Sequence, residues 1–439
     1  MSISEKFINT YFGTSYNDLN VETIQASKNL LIDCIGNIVA SCRVDKNIEL
    51  NTSFKNALNN KNEFLPFYLG MLIHRLDFDD THYEALIHTG SITVPSAIYS
   101  SLNKRLDGEK FLQSIALGVD FAVKLAGVEK HIFHKKGFHA TSVVGPFSSA
   151  LIYSYLNGLS KEQSINAIGI AGSFSSGNLS FLREGDNTKI IHPGWASFSG
   201  CKAGAITNYS ITGSKFIFED EFGFYNLYSD VVDIDKKIET NFDVSEINKV
   251  NFKPYPICQL NIASVRLFDD LNENIDVSKI SKLIVHLPQD SYEIVAESKE
   301  SKCEPRSPYE AKFSIYWTIA AYLLDKNITV DSFSKEHLRD LQVIDLAKKI
   351  EIKTFEHKEE AASIKGKVEV LFKDNTQKIF EEEGPNDSIL NTEKVINKFL
   401  QNTNLSHDTE LLQDLNNLEQ SNDVGKIIKG IFDECIKEY

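Results

Sequence analysis

The chain has 439 residues, of which 42% are hydrophobic and 24% charged, and it carries a formal net charge of −15. Its sequence pI is near 5.3. This negative charge disfavours a nucleic-acid partner, because phosphate binding requires a basic protein face. The length exceeds what one hydrophobic core usually supports, so we expect a folded globular protein of two domains.

No targeting or membrane segment is predicted. The first residues lack a basic stretch followed by an apolar core, and no run approaches the roughly 18 to 20 apolar residues of a membrane span. The six cysteines are scattered without a Cys-x-x-Cys pair, which favours reduced thiols over disulfides, zinc or an iron–sulfur cluster. We therefore expect a cytoplasmic protein with no membrane partner.

The first half of the chain is predicted to be helical. Between residues 20 and 42, apolar side chains recur at helical spacing. Further helices are predicted at Ser91–Leu102, Gly108–Ala126, Ser142–Leu156 and Lys161–Ala171. Ser160 and Gln163 form a capping-box pattern at the start of the last helix. Wide apolar faces on these segments indicate a packed helical bundle.

The pattern changes near residue 282. Two segments with β-branched residues and partial alternation, Leu283–Leu287 and Lys367–Phe372, predict strands. Asp374–Gln377 predicts a hairpin turn that leads into Lys378–Phe380. Helices are predicted between the two strands at Ala311–Leu324 and Ser334–Ala347. This mixture indicates an α+β domain.

The last part of the chain returns to a helical pattern after Gly384. One helical segment contains Val395 and Phe399, and another runs from Val424 to Ile436. Composition does not show whether these helices pack on the first helical region or on the α+β region.

Two short segments, His74–Ser91 and Lys136–Ser142, concentrate histidines, and the first of them also contains three aspartates. Imidazole gives and takes protons near neutral pH, and a neighbouring carboxylate fixes its tautomer. The two segments therefore predict acid–base chemistry on a small molecule. His131, His134 and His139 do not follow the i, i+4 spacing of a helical metal pair, so we expect no metal.

Several motifs recur in an order that resembles the MmgE/PrpD family. They are Asp77–Thr81, His88, Gly137–His139, Thr188–Trp195, Lys253–Pro256 and Ser307–Ser314. The family includes 2-methylcitrate dehydratase, cis-aconitate decarboxylase and iminodisuccinate epimerase, and the resemblance spans nearly the whole chain. It implies an enzyme that acts on a small carboxylate without a cofactor.

The resemblance also implies how the predicted elements assemble. The expected fold is mainly α, with a large all-helical domain built from residues 1–260 and 386–439. Residues 261–385 would form a smaller α+β lid inserted between those two helical stretches. A homodimer is the assembly that the resemblance implies.

The resemblance assigns roles to individual residues. Asp77 would orient a catalytic histidine, while His88 and His139 would transfer protons. Lys189 and Lys253 would bind carboxylates, and their charge would stabilise an enolate-like intermediate. Substrate contacts are further expected from Thr81, His82, Tyr255, Gln259 and Trp317.

Some positions depart from the family pattern and leave the reaction open. Gln259 and Ile262 stand where relatives commonly carry an arginine and a histidine, and Trp317 stands where the decarboxylase uses a tyrosine. A lyase that removes water or carbon dioxide from a di- or tricarboxylate is the first hypothesis. An epimerase of an amino- or imino-dicarboxylate is the second, and a binding protein without activity is the third.

Overall fold

The computed structural model describes residues 1–44, 48–129, 131–184, 186–238, 243–269, 275–356, 366–381, 391–437 and 439. The fold is mainly α, with a small mixed sheet and a two-stranded clip, as predicted. The helices that precede residue 255 are α1 (Ile3–Tyr11), α2 (Val21–Val44), α3 (Ile48–Asn59), α4 (Leu65–His74), α5 (Gly90–Asn103), α6 (Gly108–Ala126), α7 (Ile132–Lys135), α8 (Ala140–Asn157), α9 (Lys161–Gly172), α10 (Phe181–Glu184), α11 (His192–Ile206), α12 (Phe224–Tyr228) and α13 (Ile234–Lys237).

The later helices and the strands complete the described elements. The helices are α14 (Gln259–Arg266), α15 (Gln289–Val295), α16 (Lys299–Cys303), α17 (Pro308–Lys312), α18 (Ile315–Asp325), α19 (Leu341–Lys348), α20 (Thr392–Thr403), α21 (Glu410–Asn416) and α22 (Val424–Cys435). The strands are β1 (Thr81–His82), β2 (Val250–Asn251), β3 (Ile280–Pro288), β4 (Ile350–Phe355), β5 (Lys367–Phe372) and β6 (Gln377–Glu381).

Two large hydrophobic cores and one small cluster, formed by Ala40, Leu76, Phe78 and Val330, lie within the described residues. The first core takes buried side chains from Ile3 to Phe252 and again from Val395 to Ile436. The second takes buried side chains from Tyr255 to Val370. The C-terminal helices therefore pack on the first helical region, as the resemblance implied. The predicted boundary at residues 385–386 lies outside the described residues, and the exact domain limits stay a prediction.

The mixed sheet covers one side of the second core. Its strand order is β4-β3-β5-β6, with β3 parallel to β4 and antiparallel to β5. The predicted hairpin joins β5 to β6, where Leu371 pairs with Gln377. Strand β4 was not predicted, because only Ile350 is buried among its residues and its alternation is correspondingly weak.

Most helix predictions in the first half match to within about two residues at each end, and Ser160 forms the predicted capping box with Gln163. The helix predicted at Ala311–Leu324 is present as α18, but it starts four residues later than predicted, at Ile315. Ser314 separates α17 from α18, because its hydroxyl accepts a hydrogen bond from the Trp317 backbone N–H and starts a new helix. No helix in the described ranges combines the length and apolarity needed to cross a membrane.

Close packing between helices α4 and α11 fixes the position of the backbone that precedes α11. Helix α11 packs against α4 and α8. A Cβ atom on Gly70 of α4 would lie 2.9 Å from the Cα atom of Gly194 in α11, so this crossing requires glycine. The crossing fixes the start of α11 and, with it, the segment that carries Lys189.

Candidate active site

A cavity of about 620 Å³ contains most of the residues that the motifs singled out. Residues of the first helical region line one side and residues from α14, α15 and the α17–α18 junction line the other. The predicted site residues on its wall are Asp77, Thr81, His88, His139, Lys189, Lys253 and Gln259. Residues far apart in sequence are thus brought together at one site.

The loop between α4 and α5 carries the carboxylates. Asp80 accepts hydrogen bonds from the backbone N–H groups of Thr89 and Gly90, both at 2.8 Å, and caps the N-terminus of α5. A Cβ atom at Gly90 would lie 2.5 Å from an Asp80 carboxylate oxygen, so only glycine fits. Burial, together with the nearby Asp79 carboxylate, raises the pKa of Asp80 to about 7.

Asp77 forms the centre of a cluster with two lysines. Lys189 Nζ lies 2.9 Å from one oxygen of its carboxylate and Lys253 Nζ lies 3.1 Å from the other. Burial favours the neutral acid, but the two ammonium groups outweigh it and hold the pKa of Asp77 well below its ordinary value. This cluster therefore carries two positive charges and one negative charge beside the cavity.

Three buried histidines lie next to this cluster. The ring centroid of His74 lies 4.6 Å from that of His88 and 5.9 Å from that of His139, and the latter two are 6.1 Å apart. His88 donates from Nδ1 to the backbone carbonyl of Asp80 at 2.8 Å, which leaves Nε2 as a proton acceptor. Thr81 Oγ1 lies 3.4 Å from the same Nδ1 atom.

The surroundings keep two of these imidazoles neutral. Burial and the Lys189 ammonium together lower the pKa of His88 to about 3, although the Asp79 carboxylate opposes the change. Burial and Lys189 also hold the pKa of His139 well below its ordinary value. Both rings can therefore act as bases at neutral pH.

The role expected of Asp77, to orient a catalytic histidine, stays a prediction, and the contacts of Asp77 in the structure are with other residues. Its carboxylate contacts lysines, whereas Asp79 is the residue that pairs with a histidine, at 2.7 Å from His74 Nδ1. The backbone explains the difference, because Asp77 adopts a left-handed conformation with φ of 52°. This turn separates its side chain from that of Asp79, which is fully buried.

Three expected substrate contacts do not line the cavity. His82 is buried and lies 3.3 Å from Glu246 through Nε2. Tyr255 donates its hydroxyl hydrogen to Asp269 within the second core. Trp317 packs inside the same core, with its ring centroid 5.3 Å from that of Phe333.

The sequence reasoning left two neighbours of the site without a role. His74 and Asp79 lie five residues apart in the histidine-rich segment His74–Ser91, but the resemblance assigned a role only to Asp77. Phe313 and His134 also line the cavity. Phe313 belongs to the Ser307–Ser314 motif, so membership of that motif could have been used to predict that it lies beside the cavity.

The histidine cluster is also the place where a metal would fit best among the described residues. One ring nitrogen from each of His74, His88 and His139 lies within 4.8 Å of the others. This set differs from the one weighed in the sequence, which combined His139 with His131 and His134. The expectation that the protein uses no metal or cofactor stays a prediction.

Comparison with known proteins agrees with the motifs. The MmgE/PrpD N-terminal domain matches residues 66–237 and the MmgE/PrpD C-terminal domain matches residues 255–422. The cis-aconitate decarboxylase of Mus musculus is 25% identical over 377 residues, covering 80% of this chain and 75% of the relative. The Homo sapiens enzyme is also 25% identical over 377 residues, covering 80% of this chain and 76% of the relative.

A fungal relative extends the similarity. The cis-aconitate decarboxylase of Aspergillus terreus is 21% identical over 367 residues, covering 76% of this chain and 74% of the relative. The prediction of an MmgE/PrpD-type enzyme is confirmed by these matches. Together the two domain matches cover most of the described chain, and the chain belongs to the MmgE/PrpD family.

Proposed function

We propose that this enzyme is a lyase that removes carbon dioxide or water from a small di- or tricarboxylate by acid–base catalysis without a cofactor. The observation that carries the proposal is the pairing of two neutral imidazoles, His88 and His139, with the Lys189–Asp77–Lys253 cluster in one cavity. Relatives named cis-aconitate decarboxylase support cis-aconitate as the first substrate to test.

The proposed reaction divides the work between the cations and the histidines. Lys189, Lys253 and the Thr81 hydroxyl bind the substrate carboxylates. Breaking a C–C or C–H bond beside a carboxylate leaves an electron pair that delocalises onto carboxylate oxygens. The two ammonium groups stabilise that charge inside a partly closed cavity, where electrostatic interactions exceed those in water.

The imidazoles transfer the protons. In a dehydration, one ring removes a proton from carbon and the other protonates the departing hydroxyl. In a decarboxylation, the electron pair left by carbon dioxide takes a proton from an imidazolium. A bound carboxylate supplies negative charge that raises the pKa of His88 and His139 and allows either ring to hold that proton.

The pH dependence of kcat/KM tests whether the transferred proton is taken up when the substrate binds. Because the pKa of His88 is lowered to about 3, the ring is unprotonated in the free enzyme throughout the neutral range, whereas the decarboxylation needs an imidazolium. We therefore expect kcat/KM for cis-aconitate to fall steadily, by up to about tenfold per pH unit, between roughly pH 5.5 and pH 8. A rise with a midpoint near pH 6.5, the ordinary histidine value, or a constant kcat/KM across this range would contradict this assignment.

Replacing Lys189 with methionine tests the carboxylate-binding role. Burial disfavours the Lys189 ammonium, but Asp77 outweighs it and raises the pKa of Lys189 above its ordinary value, so the variant removes a full positive charge. We expect kcat/KM for cis-aconitate to fall by about 10²-fold. The exposed Lys236, which pairs with Asp233, offers a matched Lys236→Met control, and equal kinetic constants for both variants would exclude Lys189 from the site.

An epimerase is the second candidate function, and two observations favour it. His88 and His139 present two bases to one cavity, as proton removal and return on opposite faces require. Asp290 and Glu293 also line the cavity, and their charge suits a substrate that carries a cationic nitrogen. The site therefore combines features suited to an amino- or imino-dicarboxylate.

Product analysis distinguishes the candidates. The purified protein is incubated separately with cis-aconitate, citrate, 2-methylcitrate and iminodisuccinate, and the products are identified by mass spectrometry and chiral separation. Loss of carbon dioxide or water supports the lyase, whereas inversion at an unchanged carbon skeleton supports the epimerase. The homodimer and the cytoplasmic location stay predictions from the sequence.

A further inference from the structure

We infer that Lys312 and Lys398 are positioning residues of this active site. Three consecutive backbone carbonyls of the loop segment Leu76–Phe78 accept hydrogen bonds from three different lysines. In chain order the donors are the Nζ atoms of Lys312, Lys253 and Lys398. Lys253 belongs to the proposed substrate site, whereas Lys312 and Lys398 do not line the cavity.

The two additional lysines reach the loop from different parts of the structure. Lys312 ends α17, and its neighbours Ala311 and Phe313 belong to the second core. Lys398 lies in α20, whose apolar residues belong to the first core. The loop is thus tied to the second core and to the C-terminal helices at adjacent peptide groups.

Both side chains are buried along their length. Lys312 is 4% exposed and Lys398 is 8% exposed. The Lys312 ammonium lies 4.4 Å from the ring centroid of Phe333, and that of Lys398 lies 3.7 Å from the ring centroid of Phe78. These ring contacts hold each ammonium in place against the carbonyl that it binds.

The position of the loop decides where the Asp77 carboxylate points. Asp77 has a φ of 52°, a left-handed conformation that aspartate adopts only at a cost. Hydrogen bonds from charged donors to the carbonyls on both sides hold this turn. If the turn relaxes, the carboxylate moves away from Lys189 and Lys253, and both ammonium groups lose their fixed positions beside the substrate.

The two buried lysines differ in whether a carboxylate neutralises the ammonium charge. Lys398 pairs with the buried carboxylate of Asp33 at 2.7 Å. Lys312 forms no ion pair with any residue in the described ranges, and its second acceptor is the carbonyl of Pro256 at 3.1 Å. Burial lowers the pKa of Lys312 to about 7, with Asp77 opposing and Lys253 supporting the change. Removing the Lys312 charge therefore relieves desolvation while it frees the loop.

This contrast separates a positioning role from a purely structural one. We expect Lys312→Met to leave the unfolding temperature at or above that of the wild type while the loop becomes more mobile. Lys312→Gln is a second, polar variant for the same position. For Lys398, the paired variant Asp33→Asn/Lys398→Met removes both charges and avoids an unpaired buried carboxylate.

Lys28 provides the matched control. It is also 8% exposed, and it donates to the Asn416 carbonyl at 2.9 Å and pairs with Glu419 at 3.3 Å. Lys28→Met therefore removes one lysine contact to a carbonyl and one to a carboxylate, both partly buried and away from the loop.

The test combines hydrogen–deuterium exchange of the full-length protein with steady-state kinetics on cis-aconitate. We expect faster exchange in peptides that cover residues 74–80 for the Lys312 and Lys398 variants and not for Lys28→Met. We expect kcat to fall by about 10²-fold, as for a misplaced catalytic group, with a smaller change in KM. Wild-type exchange in these peptides, or an unchanged kcat, would overturn the inference.

The kinetic half of this test rests on the proposed function, whereas the exchange half does not. If the wild type does not convert cis-aconitate but the exchange difference is present, cis-aconitate is not the substrate, and the positioning role of Lys312 and Lys398 is still supported. If the wild type is active and the exchange difference is absent, the lyase function is supported and the positioning role of the two lysines is refuted.

Discussion

Replacing His139 with alanine should lower kcat by about 10²- to 10⁴-fold, the usual contribution of a positioned acid–base group. His139 is 3% exposed and lines the cavity, and its Nδ1 atom lies 3.1 Å from His192 Nδ1. Its ring makes few other polar contacts, so the unfolding temperature should stay close to that of the wild type. Steady-state kinetics and thermal unfolding on the same preparation measure both quantities.

A histidine outside the cavity serves as the control. His286 on β3 pairs with Glu369 at 2.6 Å on a partly exposed face of the sheet. His286→Ala should leave kcat unchanged. A large loss of stability in His139→Ala with turnover retained would mean that His139 is a packed core residue.

Replacing Asp77 with asparagine should lower the free energy of unfolding by about 3 kcal/mol, because two buried ammonium groups lose their carboxylate. Since the pKa of Asp77 is lowered in the folded state, its stabilisation is complete above the unfolded value of about 3.9 and is lost as the pH falls through the folded pKa. The difference from the wild type should therefore be constant from about pH 5 to pH 8. Denaturant titrations measure it.

A carboxylate ligand sharpens the Asp77 test. Because Lys189 and Lys253 lack their partner in Asp77→Asn, cis-aconitate should raise the unfolding temperature of this variant more than that of the wild type. Asp433, whose pair with Lys429 is exposed, offers an Asp433→Asn control with an expected change below about 1 kcal/mol. If both variants are equally stable, the Asp77 cluster does not organise the site.

Local patterns predicted much of the fold. Ser160 and Gln163 marked the start of α9, and the predicted limits of α6 and β5 match the structure. These patterns act through residues close in sequence, so tertiary packing does not change the structure that they predict. The separation of α17 from α18 depends on how Ser314 caps a helix inside a largely apolar segment, which periodicity does not reveal.

The site was predictable to the extent that its residues stood in motifs. Seven of the ten predicted residues line the cavity, while His82, Tyr255 and Trp317 turn into packed regions. A motif places a residue near the site in the sequence, but tertiary contacts determine whether its side chain faces the cavity or a packed core. The lysines at 312 and 398 were missed for a similar reason, because only the folded chain brings them to the loop at residues 76–78.

The most direct test of acid–base lyase chemistry is proton NMR of the enzyme with cis-aconitate in D₂O. We expect loss of the cis-aconitate signals and growth of an unsaturated dicarboxylate that carries deuterium at the carbon that receives the proton. The His139→Ala variant should show neither change. Unaltered spectra for cis-aconitate and for every other carboxylate tested, or conversion at the wild-type rate by His139→Ala, would contradict acid–base lyase chemistry at this site.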